Sequence, residues 1–204
     1  MGKEEVSKKM FLGLLRSTKR KGMDNVLNWL EKSDFFTAPA STRFHGAYEG
    51  ALVKHSLNVY IVFMKLRAIG IMGLADDSDS VNVPDDSVII SALLHDICKA
   101  NTYKVAQRWR KDKQNRWEQY DVYEFAEAEP LGHGEKSVMI LQRLGLELTE
   151  SEMYMIRWHM GGFDESKMAI SNAMKKHPEI ALMHSADLIA TYIIENEGNK
   201  DAEK

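Results

Sequence analysis

Ala92-Leu93-Leu94-His95-Asp96-Ile97-Cys98-Lys99 ends an apolar run that begins at Val88, and its reading decides the fold. An imidazole and a carboxylate at the end of a buried helix are costly to desolvate. A metal cation is the usual compensation. A His-Asp dipeptide alone is weak evidence because chance produces many. Four further segments strengthen it: His55 in Leu52-Val53-Lys54-His55-Ser56-Leu57, His133 in Gly132-His133-Gly134, His159 in Arg157-Trp158-His159, and Asp187 in His184-Ser185-Ala186-Asp187.

Around these segments the sequence reads as mainly helical. The chain has 204 residues, enough for one domain with a substantial core. Apolar residues make up 44%, which excludes global disorder. Leucine and methionine are plentiful and strand patterns scarce, so the expected class is all-α with one small β-hairpin. A net charge of −3 gives no general nucleic-acid coat. The single cysteine, Cys98, excludes an intramolecular disulfide and a cysteine-rich zinc module. The start Met1-Gly2-Lys3-Glu4-Glu5 lacks an apolar signal, Val6 stands where myristoylation wants Ser or Thr, and no apolar run is long enough to cross a bilayer. A cytoplasmic protein without a membrane partner is expected.

Residues 3–21 carry Val6, Met10, Phe11, Leu14 and Leu15 at helical spacing, with a basic opposite face that is either solvated or turned to an anionic partner. Gly22 is expected to stop that helix and Asp24 to cap the next, which ends near Phe35, Phe36 and Pro39. Residues 1–43 thus form a helical cap, 44–195 the main domain and 196–204 a charged tail, with fraying expected from Glu195 onward. In the next helix His55 falls on the apolar face between Leu52 and Val59. Residues 73–87 form an acidic loop that lacks the spacing of a calcium loop. Pro84 with Asp85 or Asp86 starts the helix that delivers His95 and Asp96. Thr149 and Glu152 make a capping box, Gly161-Gly162 ends the helix carrying His159, and Pro178 opens a last helix through Asp187 to Ile194.

Residues 103–123 break the helical pattern. Aromatic and β-branched residues flank the polar turn Lys111 to Asn115, which predicts a β-hairpin. Lys104, Arg108, Arg110, Lys111, Lys113 and Arg116 make it basic. It reads either as a soluble edge ribbon or as a lid contacting phosphates, with Trp109 or Trp117 stacking on a base. Tyr103 and Arg108 are candidate substrate contacts, as is His45 in the turn before the His55 helix. His177, before Pro178, reads as exposed, and His184 as a supporting or core residue.

The order His55, His95-Asp96, His133, His159, Asp187 resembles the HD-domain superfamily of metal-dependent phosphohydrolases. The likeness covers roughly residues 44–192. The stretch from Gly46 to His55 resembles HD domains attached to bacterial 3′→5′ exoribonucleases and, more closely, small stand-alone HD hydrolases of bacteria and phages. The resemblance implies a helical fold around metal. It assigns His55, His95, Asp96 and Asp187 as core ligands and His133 with His159 as a second-metal pair, Asp96 bridging. One or two divalent ions (Mn, Fe, Ni, Co or Zn) suit that donor set, and Lys99 would bind a phosphate oxygen or the leaving group. Cys98 departs from the pattern, standing where a glycine is common. No space remains for a nucleic-acid-binding barrel, and the additional motif of cyclic-di-GMP phosphodiesterases is absent. The implied reaction is hydrolysis of a phosphate ester in a nucleotide, cyclic nucleotide or short single-stranded oligonucleotide. Di-iron oxygenase chemistry and a non-catalytic nucleotide-binding module are the alternatives.

Overall fold

The computed structural model describes residues 2–42, 46–73, 81–126, 131–163 and 167–196. His45, residues 74–80 of the acidic loop and the tail from residue 197 lie outside them. Eight α-helices are described: α1 Lys3–Ser17, α2 Met23–Lys32, α3 Ala51–Gly73, α4 Asp85–Leu94, α5 His133–Arg143, α6 Glu150–Arg157, α7 Lys167–Lys176 and α8 Glu179–Ile189. One antiparallel hairpin, β1 Tyr103–Lys111 with β2 Trp117–Phe125, completes the expected mainly helical class. Among the described residues no helix is long and apolar enough to cross a membrane.

Two hydrophobic clusters share α3 and α4. One gathers Phe11 and Leu15 of α1 and Val26 and Leu30 of α2 against Leu52 of α3 and Leu93 and Leu94 of α4. The other joins Val59 and Phe63 of α3 and Ala92 of α4 to Met183 and Ala186 of α8. The N-terminal helices therefore bury their apolar stripes in a core that they share with the metal-candidate helices. From Ser87 to Leu94, α4 is buried on every side, because helices cover all its faces. His55 sits between Leu52 and Val59, and His95 directly follows Leu94, so both histidines emerge where the two clusters meet.

A buried ion pair ties distant segments together. The Arg20 guanidinium donates to both oxygens of the fully buried Glu152 at 2.8 Å and also to Asp86. Glu152 accepts as well from the Thr149 backbone N–H while Thr149 caps α6, so the expected capping box is formed.

The helix boundaries differ from expectation in several places, among them α6, which ends at Arg157, before His159, and not at Gly161-Gly162. α1 ends at Ser17, not residue 21: the Ser17 and Thr18 hydroxyls donate back to the Leu14 and Leu15 carbonyls, and Lys19 turns left-handed at φ 51°. Gly22 begins α2 instead of ending α1. It has φ 86°, and a Cβ there would lie 2.0 Å from the Gly145 carbonyl oxygen, so only glycine fits. A further difference is α7, a helix that the apolar spacing does not announce; its Ala173 packs with Trp158 and Ile180.

The expected hairpin forms, with a second strand that runs on past residue 123 to Phe125 because Phe125 pairs with Tyr103. Asp112 accepts from the Gln114 and Arg116 backbone N–H groups, and Asn115 supplies the left-handed turn residue at φ 62°.

Candidate metal centre

Each candidate ligand is delivered by a different local device. His55 projects from α3. His95 caps α4, and the chain then tightens into a short 3₁₀ turn, Ile97–Lys99, which holds Asp96 beside it. His133 opens α5, His159 follows the end of α6, and Asp187 projects from α8. Gly134 permits a close approach: a Cβ there would lie 2.2 Å from the Arg157 carbonyl oxygen, so its absence lets α5 rest on the end of α6.

The imidazoles are oriented by their second nitrogens. Nδ1–H of His95 donates to the Ala92 carbonyl at 2.9 Å, and Nδ1–H of His159 donates to the Ile156 carbonyl at 2.7 Å. A carbonyl can only accept, so both rings present Nε2 to the centre. His55 turns Nδ1 to the Glu195 carboxylate at 3.1 Å and Nε2 to Asp187 at 3.1 Å. The Nε2 atoms of His55 and His95 stand 3.3 Å apart, and His95 Nε2 lies 3.3 Å from Asp96 Oδ2. Two donors bound about 2.1 Å from one cation are about 3.0 to 3.4 Å apart at octahedral to tetrahedral angles, so these spacings fit. His159 Nε2 and Asp96 Oδ1, 3.5 Å apart, are buried with no hydrogen-bond partner. Orphaned donor atoms of this kind are what a cation would satisfy.

The donors form three overlapping groups, each within 4.8 Å: His55 with His95 and Asp187, His95 with Asp96 and His159, and Asp96 with Cys98 and His133. All six candidate ligands therefore meet at one place. His133 and His159 fall into different groups, joined through Asp96, and Cys98 lies beside His133.

The charges are strongly coupled. Burial would lower the His55 pKa, but Asp187 and Glu195 outweigh it and raise it to about 10. Two carboxylates thus face the His55 ring, a negative pocket of the kind that suits a cation. Burial opposes ionisation of Asp96 and Asp187, yet Lys99 and His95 hold Asp96 well below the usual carboxylate range and His55 does the same for Asp187. His95 is lowered by burial, whereas His159 is raised because Asp96 outweighs its burial. Burial and the Asp96 charge push the Cys98 thiol up to about 12.

The centre opens into a cavity of about 490 Å³ lined by His55, Asp96, Lys99, Tyr103, Phe125, His133, His184, Asp187 and Tyr192, among others. Lys99 Nζ lies 2.6 Å from Asp96 Oδ2. The Tyr103 and Phe125 rings, 5.2 Å apart, form one wall. Arg108 is not part of the lining; on the hairpin it pairs with Glu124 at 2.7 Å. His184 supports the centre, donating Nδ1–H to the His159 carbonyl at 2.7 Å. His177 stacks on Tyr154 and bonds Glu179, away from the cavity lining.

Glu195 is the residue that sequence reasoning missed. Instead of fraying, it is held by His55 and by the Asn58 amide at 2.9 Å. A continuous α-helix would carry it about 80° around from Asp187. The π turn Ala190–Ile194, closed by the Glu195 N–H on the Ala190 carbonyl, brings both carboxylates to His55.

Over 66 residues the chain is 36% identical to dihydroneopterin 2′,3′-cyclic phosphate phosphodiesterase of Methanocaldococcus jannaschii. The likeness is to a phosphodiesterase. It covers 32% of this chain and 24% of the relative, so the matched stretch spans about a quarter of that enzyme. No protein-family profile and no solved structure matches the chain.

Proposed function

We propose that this protein is an HD-type metal-dependent phosphohydrolase that cleaves a phosphate ester on a small planar heterocycle. Nucleotides, cyclic nucleotides and short oligonucleotides are the expected substrates, and a pterin cyclic phosphate joins them by likeness to the relative. The observation that carries the reading is the convergence of His55, His95, His159, Asp96 and Asp187 on one centre, of which His55, Asp96 and Asp187 line the cavity, with Asp96 Oδ1 and His159 Nε2 buried without a hydrogen-bond partner.

One or two divalent ions held there would neutralise phosphate charge and lower the pKa of an attacking water. The three imidazoles and two carboxylates suit Mn, Fe, Ni, Co or Zn. Lys99 places an ammonium at the cavity edge of Asp96, where it can take a non-bridging phosphate oxygen or the departing oxygen. Tyr103 and Phe125 offer a face on which a flat ring stacks. A cavity of about 490 Å³ suits a mononucleotide-sized ligand. Further out, Trp109 and Trp117 stand exposed on the basic hairpin, and a longer single strand would lie over them.

The test is elemental analysis of the protein as purified, then reloading of chelator-stripped protein with each ion and a panel of nucleotide and cyclic phosphates. Asp96→Ala should lose metal and turnover together, because its carboxylate belongs to two of the three donor groups. Full turnover in that variant refutes the site. Bound iron with substrate-dependent oxygen uptake would transfer the protein to the di-iron oxygenases. Ligand binding without turnover under every ion would make it a regulatory module.

A further inference from the structure

We infer that Cys98 is itself a metal ligand: with His133 and Asp96 it forms a second cation site that takes a thiophilic divalent ion (zinc, ferrous iron or cobalt) in preference to magnesium or manganese. The inference rests on the metal-centre reading above and deepens it.

Cys98 Sγ lies 3.7 Å from His133 Nδ1, and an Asp96 oxygen completes a group within 4.8 Å. A thiolate about 2.3 Å and an imidazole nitrogen about 2.0–2.1 Å from one tetrahedral ion are themselves about 3.5 Å apart. The observed pair is within a few tenths of an ångström of that spacing. The third donor is the buried Asp96 carboxylate, whose Oδ1 has no hydrogen-bond partner; the same carboxylate also belongs to the His95–His159 group. The sulfur is also held in place, since the Cys98 backbone N–H reaches Ser137 Oγ of α5 at 3.4 Å and fixes the 3₁₀ turn against the helix that carries His133. A cysteine acting only as a small apolar filler has no use for an imidazole and a carboxylate around its sulfur. On binding, the S–H proton leaves to solvent as the sulfur–metal bond forms, with no change of oxidation state. Thiolate then selects soft or borderline ions over hard ones.

Cys98 is the only cysteine in the chain, so any thiolate-to-metal signal reports on it alone. Chelator-stripped wild-type protein is titrated with cobalt(II) while absorption and bound cobalt are recorded. The expected result is a thiolate-to-cobalt charge-transfer band in the near ultraviolet that zinc abolishes and excess magnesium does not. Cys98→Ser should lose the band and bind its second equivalent at least as much more weakly as removal of an outer hydrogen-bond partner would cause, about 10–100-fold. His133→Ala should lose the band as well. Cobalt binding by wild type without the band overturns the inference while the histidine–aspartate centre stands. A band that persists in His133→Ala overturns the assigned ligand group. Failure of wild type to take up any cobalt, zinc or iron overturns both this inference and the proposed function. The decisive band is read on wild-type protein, so a variant that misfolds does not remove the test.

Discussion

At the scale of single residues, Glu195 shows how much of the centre lies beyond the direct ligands. Its carboxylate accepts from His55 Nδ1 and from the Asn58 amide, so it fixes the ring that faces Asp187 and His95. Removing an outer partner of a metal-binding histidine typically costs about 10–100-fold in metal affinity. Glu195→Ala should therefore weaken the first-bound ion by about that factor without unfolding the chain, which metal titration against a competing chelator checks; unchanged affinity would reduce Glu195 to a surface carboxylate. The direct candidates were legible because a histidine or aspartate inside an apolar helical stripe must be paired to stay buried: His55 between Leu52 and Val59, and Asp187 between Ala186 and Leu188. Glu195 was not legible, because it follows a π turn that breaks the 3.6-residue period used to assign faces. His184 was open to a supporting role from sequence, but nothing in its spacing specified the His159 carbonyl as its partner.

Among the elements, the junction of α5 with α6 sets the geometry of the centre. His133 starts one helix, His159 follows the other, and Gly134 lets their backbones approach where any side chain would collide with Arg157. Gly134→Ala must push α5 away from the end of α6. Overpacking of this kind costs about 1–3 kcal/mol, and urea unfolding should register that loss as a lower midpoint. The functional effect should be larger in proportion, since His133 moves with α5 away from Asp96 and Cys98. Elemental analysis of the folded variant should find the second ion depleted before the first; equal retention of both would mean that the junction does not position the site. Helices with long apolar stripes (α3, α4 and α8) and the hairpin were readable from period alone. α7 escaped because only a few small or medium apolar side chains, Ala169, Ile170, Ala173 and Met174, anchor it to Trp158 and Ile180. α1 stops short of its apolar and basic pattern because hydroxyl back-bonding at Ser17 and Thr18 ends a helix without a glycine.

For the whole molecule, the candidate ligands come from α3, the end of α4, α5, the end of α6 and α8, and so connect both hydrophobic clusters. Those elements are held at the centre by hydrogen bonds and by charge pairing of His55 with Asp187 and of Lys99 with Asp96. An ion that binds the folded state and not the unfolded chain adds stability as RT ln(1 + [L]/Kd), about 2.7 kcal/mol at a hundredfold excess over Kd. For a domain of this size each kcal/mol shifts Tm by about 2–4 °C. Thermal unfolding of chelator-stripped protein should therefore rise by about 5–10 °C when a saturating transition ion is restored. The increment should keep growing with ion concentration, as mass action requires. Asp96→Ala should show no increment, because the carboxylate shared between two donor groups is gone. Loss of Asp96 also strands Lys99 and alters the metal-free Tm, so the informative quantity is the difference between loaded and stripped protein within each variant. A wild-type Tm indifferent to every ion would mean that the five helical elements converge without a cation to hold, and the histidines would then be a buried proton network.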